Sequence, residues 1–134
     1  MNDSVLVVDD SAFQRARIRE RLEPTFEVVA EAADGDDAVA AYREHDPDAV
    51  TMDFALPARD GPAATDAIKA ADPDAVVVFC SCVDQQSQFK RAIRAGADGY
   101  VRKPIDDGAL VGAVESALAA AEGTDHGGAA STTE

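Results

Sequence analysis

The stretch Ala49-Val-Thr-Met-Asp53-Phe-Ala-Leu-Pro57-Ala-Arg-Asp60-Gly61 joins a short apolar run to a single acid and then at once to a turn. An apolar run of this length, bounded by turn residues, reads as a strand buried on both faces. A carboxylate at the C-terminal tip of such a strand lies where open α/β sheets keep their ligand crevice. One acid there is also consistent with a plain solvated strand end. What Asp53 does therefore depends on what the other strand tips carry.

Working outward, the chain alternates strand and helix signals throughout. Ser4 to Val8 is a continuous apolar strand running into Asp9-Asp10, and Ser11 can cap a helix from about Ala12 to Leu22, stopped by Glu23-Pro24. Phe26 to Glu31 is a second, more polar strand suited to a sheet edge. Asp34-Gly35 breaks the chain before a helix from Asp36 to His45, and Asp46-Pro47 ends it. The quoted strand, Ala49 to Met52, precedes a third helix over Pro62 to Ala71. A fourth strand covers Ala75 to Cys80 and a fourth helix Asp84 to Ala95, with Gly96 as its stop. The fifth strand, Gly99 to Val101, leads into Arg102-Lys103-Pro104. The fifth helix runs from about Asp107 to Ala121, with an apolar stripe at Leu110, Val111, Val114 and Leu118. From Glu122 the chain is Gly-, Thr- and Ala-rich with nothing to bury, so residues 1–121 read as the folded domain and 122–134 as a disordered tail. Five strands alternating with five helices predict a doubly wound parallel α/β sheet covered on both faces.

Composition narrows the function. The 134 residues make one domain with no apolar run near the ~20 that a membrane span needs and no signal segment. Two cysteines, Cys80 and Cys82, are too few for a disulfide framework and point to a reducing compartment, the cytoplasm. A net charge of −14 argues against nucleic-acid and anionic-membrane partners. Eighteen Asp and eight Glu stand against three Lys and nine Arg, a self-repelling surface of the kind that salt-adapted proteins use.

In a parallel sheet all five strand tips meet on one edge. That edge collects Asp9 and Asp10, Asp53, Ser81 and Lys103. Two carboxylates ~4 Å apart repel by about 4 kcal/mol at an effective dielectric near 20. Three acids in one crevice call for a cation, and hard oxygen ligands with room for water favour Mg2+. A hydroxyl and an ammonium opposite them suit a phosphoryl group, whose charge is spread over three oxygens.

The chain resembles a response-regulator receiver domain of two-component signalling, of the CheY and CheB-receiver type, over about Ser4 to Ala121. The resemblance rests on Val-Asp-Asp-Ser at 8–11, the motif at 50–61, Cys-Ser at 80–81, Gly-Ala-Asp-Gly-Tyr at 96–100 and Lys-Pro at 103–104. It implies the strand order 2-1-3-4-5, an order for which CheY is itself a standard example. It implies that Asp53 accepts a phosphoryl group from a histidine kinase or histidine phosphotransfer protein. Asp10, Asp53 and the backbone carbonyl of Ala55 would hold Mg2+, with Asp9 helping directly or through water. Lys103 would tie the acceptor carboxylate and the phosphoryl oxygens, and the bond before Pro104 is commonly cis in this family. Ser81 and Tyr100 would form the switch, Tyr100 turning inward, and a downstream protein would read the face of the fourth helix, fifth strand and fifth helix. Only self-catalysed phosphorylation and slow dephosphorylation are expected, not turnover of a separate substrate.

Departures from the pattern are Leu56 for a frequent Met and Cys82 where the family prefers Ala or Gly, which bears on the mobility of the fourth helix. Ala55 and Val83 hold the positions that tune hydrolysis, and neither can activate a water. An FMN binder would need a phosphate cradle where Asp9-Asp10 stand. A dehalogenase-like phosphatase would carry its nucleophile on the first strand. A pseudo-receiver would lack the acceptor or the lysine. A single-domain regulator is the expectation, with a receiver cut from a longer regulator as the alternative. The first helix carries Arg15, Arg17, Arg19 and Arg21, read either as neutralising nearby acids such as Glu20 and Glu23 or as a basic strip for the kinase.

Overall fold

The computed structural model describes residues 2–81, 86–105 and 108–130. Five strands, β1 (Ser4–Val8), β2 (Glu27–Ala32), β3 (Ala49–Met52), β4 (Val77–Ser81) and β5 (Gly99–Arg102), form one parallel sheet in the order β2-β1-β3-β4-β5. Five helices alternate with them: α1 (Ala12–Leu22), α2 (Gly35–His45), α3 (Gly61–Ala71), α4 (Gln86–Ala95) and α5 (Ala109–Ala130). The sheet is the doubly wound one that the alternation predicts.

The apolar runs are continuous because each strand is covered on both sides. Leu6, Val8, Val50, Met52 and Phe79 pack with Tyr42 of α2, Ile68 of α3 and Ala92 of α4. The alternate residues Val5, Val7, Val78 and Cys80 pack with Ile18 and Leu22 of α1 and Leu110 and Val114 of α5. β2, with only Ala32 fully buried, lies at the edge, in keeping with its more polar sequence.

Boundaries shift where a side chain or a turn decides them. The Ser11 hydroxyl accepts from Gln14 N at 3.2 Å and Asp60 Oδ1 from Ala63 N at 2.9 Å, so α3 starts at Gly61 with Pro62 in its first turn. β4 begins at Val77 rather than Ala75, because Ala75 N closes a turn onto Asp72 O at 3.0 Å, and it extends to include Ser81. α5 is continuous to Ala130, past the Ala121 end read from the sequence; alanines that can propagate a formed helix make up residues 119–121. The expected starts of the last two helices at Asp84 and Asp107, and the calls on Cys82 and Val83, lie outside the described residues.

Candidate functional site

The crossover rule brings the strand tips to one edge, and local geometry fixes what each presents there. β1 ends in Asp9, buried, and Asp10, exposed. β3 ends in Asp53, 8 % exposed, whose Oδ1 accepts from Phe54 N at 2.9 Å. The backbone of this loop is drawn tight: Gly61 N donates to Phe54 O at 2.8 Å, and a Cβ at Gly61 would stand 2.2 Å from Asp53 O. Only glycine lets α3 start this close to the acid. Ala55 follows on the exposed rim of an open groove shared with Asp10, Phe54 and Asp60.

Carboxylate oxygens of Asp9, Asp10 and Asp53 lie within 4.8 Å of one another. Lys103, at the tip of β5, reaches into this group: Nζ donates to Asp9 Oδ2 at 2.5 Å and lies 3.7 Å from Asp53 Oδ2. The Lys103–Pro104 peptide is cis, and Lys103 N donates to Ser81 O at 3.0 Å, so β4 helps to place the lysine. Ser81 itself is fully buried at the end of β4. Asp9 is held from both sides, its Oδ1 accepting from Ser11 N at 2.9 Å and its backbone carbonyl from Arg15 Nη1 at 2.7 Å.

Burial raises the Asp53 carboxyl from 3.8 to about 6; the Lys103 charge works the other way, and Asp9 adds to the rise. For Lys103 burial favours the neutral amine, but the Asp9 hydrogen bond and the Asp53 charge outweigh it and raise its pKa. Burial pushes the Cys80 thiol up to about 12, which makes it a core residue rather than a nucleophile.

Three carboxylates against one ammonium leave two negative charges in one crevice. Hard oxygen donors with that residual charge fit a divalent cation such as Mg2+. Both Asp9 carboxylate oxygens already accept protein hydrogen bonds, which leaves Asp10 and Asp53 better placed as direct ligands.

The structure thus brings Asp9, Asp10, Asp53 and Lys103 together, with Ser81 buried beside them on β4. Tyr100 is half-buried, stacked on Phe79 at 6.3 Å between centroids and touched edge-on by Phe89 at 5.0 Å, and so stands between the exposed and buried positions expected of a switch. On α1, Arg15 pairs with Glu31 at 3.0 Å and Arg19 with Glu23 and Glu31 at 2.6 and 2.7 Å. The neutralising reading holds for these two arginines. Sequence reasoning missed Phe13, 67 % exposed beside Asp10's end of α1 with Arg17 over its ring at 5.6 Å. Its signal was available: it falls outside the Ile18–Leu22 stripe that the helix buries.

A family model described as the response regulator receiver domain matches residues 5–115. Chemotaxis protein CheY of Halobacterium salinarum is 44% identical over 120 residues, covering 90% of this chain and 100% of that protein. CheY of Bacillus subtilis is 43% identical over 119 residues, with 88% and 99% covered. Among solved structures, the CheX-CheY-BeF3-Mg complex of Borrelia burgdorferi is similar at a TM-score of 0.81 and 31% identity, over 85% of this chain and 87% of that one. The response regulator domain of Thermotoga maritima CheB is similar at 0.82 and 30%, over 89% and 98%.

Proposed function

This chain belongs to the response regulator receiver domain family, and from that premise we propose that it is a single-domain regulator phosphorylated on Asp53. The donor is a histidine kinase or a histidine phosphotransfer protein, and the reader is a downstream protein at the face of α4, β5 and α5. The observation that carries this reading is the cluster of three carboxylates closed by one lysine. Its relatives of matching length bear the name chemotaxis protein, which favours a chemotaxis-type role and the receiver unit 1–121 acting by itself. Like the rest of the family it is a signalling protein, and we place it in the cytoplasm.

In the reaction an Asp53 oxygen attacks the phosphorus of a phosphohistidine. A P–O bond forms, the P–N bond breaks, and the imidazole leaves with a proton. Asp10, Asp53 and the Ala55 carbonyl would hold Mg2+, with Asp9 helping directly or through water; the ion would supply positive charge to neutralise phosphoryl oxygens. That the Borrelia structure combines CheY with BeF3 and Mg supports the same requirement here. Lys103, bonded to Asp9 and 3.7 Å from Asp53, would shift toward the new charge. Ser81 would donate its hydroxyl to the phosphoryl group, and Tyr100 would follow inward. With an alanine at position 55, no side chain there activates a water, so the phosphoryl group leaves slowly.

The test is the mass of the whole chain after acetyl phosphate and Mg2+. One added phosphoryl group, lost when a chelator precedes the donor, is expected; no addition in Mg2+ would reject the reading. Ser81→Ala should keep phosphorylation but cut the phosphorylation-dependent gain in target affinity about tenfold, the loss of a charge-assisted hydrogen bond worth ~1.5 kcal/mol. An undiminished gain would remove Ser81 from the switch.

A basic strip on α1 remains for the donor, now centred on Arg17 and Phe13 because Arg15 and Arg19 are held by acids. Arg17→Glu should slow phosphotransfer from the kinase several-fold while leaving acetyl phosphate almost unaffected. If both donors slow alike, the docking role is lost.

Salt adaptation completes the proposal. Screening of a net −14 should raise the melting midpoint from dilute buffer to molar KCl, by ~3–5 °C for each kcal/mol of repulsion removed. A midpoint that stays level or falls would refute it.

A further inference from the structure

The loop between β3 and α3 carries the Ala55 carbonyl, and three residues further on it contains a strained alanine. Ala58 has a φ of +67°, and across it Arg59 N donates to Pro57 O at 2.6 Å. A hydrogen bond closed over one residue at positive φ marks the rarer, strained kind of γ-turn. Among the described residues the other non-glycine at positive φ is Asp46, whose short polar side chain suits that conformation. Alanine has no such relief. Ala58 is also exposed, and a strained residue persists only where its surroundings over-determine it.

The start of α2 supplies that restraint. Gly35 opens the helix, buried, and its N–H is one of the four that a helix leaves without a partner of its own. It donates to Pro57 O at 3.3 Å. The two backbones lie so close that a Cβ at Gly35 would stand 1.9 Å from Arg59 O. Asp36, the next residue, pairs through Oδ1 with Arg59 Nε at 3.0 Å. Ala58 is thus bracketed, with Pro57 held on one side and Arg59 on the other. Since Phe54 O is held by Gly61 N, Ala55 lies between two pinned carbonyls, those of Phe54 and Pro57.

We propose that the first turn of α2 is a positioning device for the metal site: Gly35 and the Asp36–Arg59 pair hold the turn at Ala58 and through it fix the Ala55 carbonyl for the cation. The inference rests on the proposed reading of Asp10, Asp53 and the Ala55 carbonyl as Mg2+ ligands, and adds what keeps the third of them in place. Mg2+ demands near-ideal octahedral geometry, so a carbonyl that wanders costs affinity. A solvent-exposed ion pair is weak in general. Here it opposes the relaxation of a single strained residue, a task of matching size.

Calorimetric titration of Mg2+ into the whole chain in molar KCl, which screens long-range fields, tests this. Arg59→Met and Asp36→Ala should each weaken binding about threefold, the size of one exposed pair, although they change the net charge in opposite directions. Gly35→Ala, which drives a Cβ against Arg59 O, should weaken it about tenfold. Ala58→Gly relieves the strain. Alone it should bind as tightly as the wild type, and added to Arg59→Met or Asp36→Ala it should restore the wild-type Kd. A pair that merely stabilised the fold would not give that recovery. Affinities that do not move, opposite shifts for the Arg59 and Asp36 variants, or a loss that Ala58→Gly leaves in place would overturn the proposal. Should chemical denaturation show Gly35→Ala unfolded, the Arg59 and Asp36 variants decide. No Mg2+ binding by the wild type would remove the metal site and the inference with it; wild-type binding with unmoved variants removes the inference alone.

Discussion

Asp53→Asn is expected to leave the chain unphosphorylated by acetyl phosphate and by a phosphohistidine donor alike. The amide lacks the charged oxygen that attacks phosphorus, and among the described acids of this edge Asp9 is engaged by Lys103 and by Ser11 N while Asp10 is exposed to solvent. Without Mg2+ the variant should also be the more stable protein. Burial raises the Asp53 carboxyl from 3.8 to about 6, so the folded state disfavours its charged form. A raised carboxyl pKa means that the folded state binds the proton more tightly than the unfolded one. The wild type therefore loses stability as pH rises from about 4 to 6, and the deficit is complete above that. Removing the charge should recover on the order of 2 kcal/mol at pH 7 and almost nothing below pH 4. Chemical denaturation of both proteins in a chelator at the two pH values measures it. A phosphoryl group found on the Asn variant at the wild-type rate would defeat the acceptor assignment; an equal or lower stability at pH 7 would defeat the desolvation account.

Phe79→Ala is expected to have the largest effect on the fold. Phe79 is fully buried on β4, its ring 6.4 Å from Phe54 on one side and 6.3 Å from Tyr100 on the other. It also approaches Gly61, whose Cβ position lies 3.0 Å from Phe79 Cε2. Truncating a buried Phe costs ~3–5 kcal/mol, a large share of the ~5–15 kcal/mol that holds a domain together. The denaturation midpoint should fall accordingly, and the variant should label poorly with acetyl phosphate, because the Asp53 loop loses the surface it packs on. Phe79→Leu, which refills most of the volume, should recover more than half of the loss. A cost below about 1 kcal/mol for the alanine would show that the three rings do not act as a packed unit.

The strands and helices were legible because their causes are local. Continuous apolar runs, a capping Ser11, Asp60-Gly61-Pro62 and a stop at Gly96 each act within a few residues. Alternation of strand and helix then leaves little freedom but a parallel sheet, and a parallel sheet must carry Asp9, Asp10, Asp53, Ser81 and Lys103 to one edge. The strand order itself came through resemblance to a family, since pattern alone does not choose among right-handed windings.

Which groups actually touch was decided by tertiary structure. Lys103 lies 94 positions from Asp9 in the chain and yet takes it as its closest carboxylate, with Asp53 farther off. Arg15 and Arg19 found Glu31 because β2 lies at the edge beside α1, whereas the helix's own Glu20 was the nearer acid in sequence. Tyr100 settled half-buried between Phe79 and Phe89, a position set by three elements together. Periodicity reports which face of a helix is apolar, but α4 shows its limit: Ala92 and Ala95 are its buried residues, Ala92 in the core with the strands, and the larger Phe89 and Ile93 are left outside. Burial depends on the space between packed elements, and that space exists only once the chain has folded.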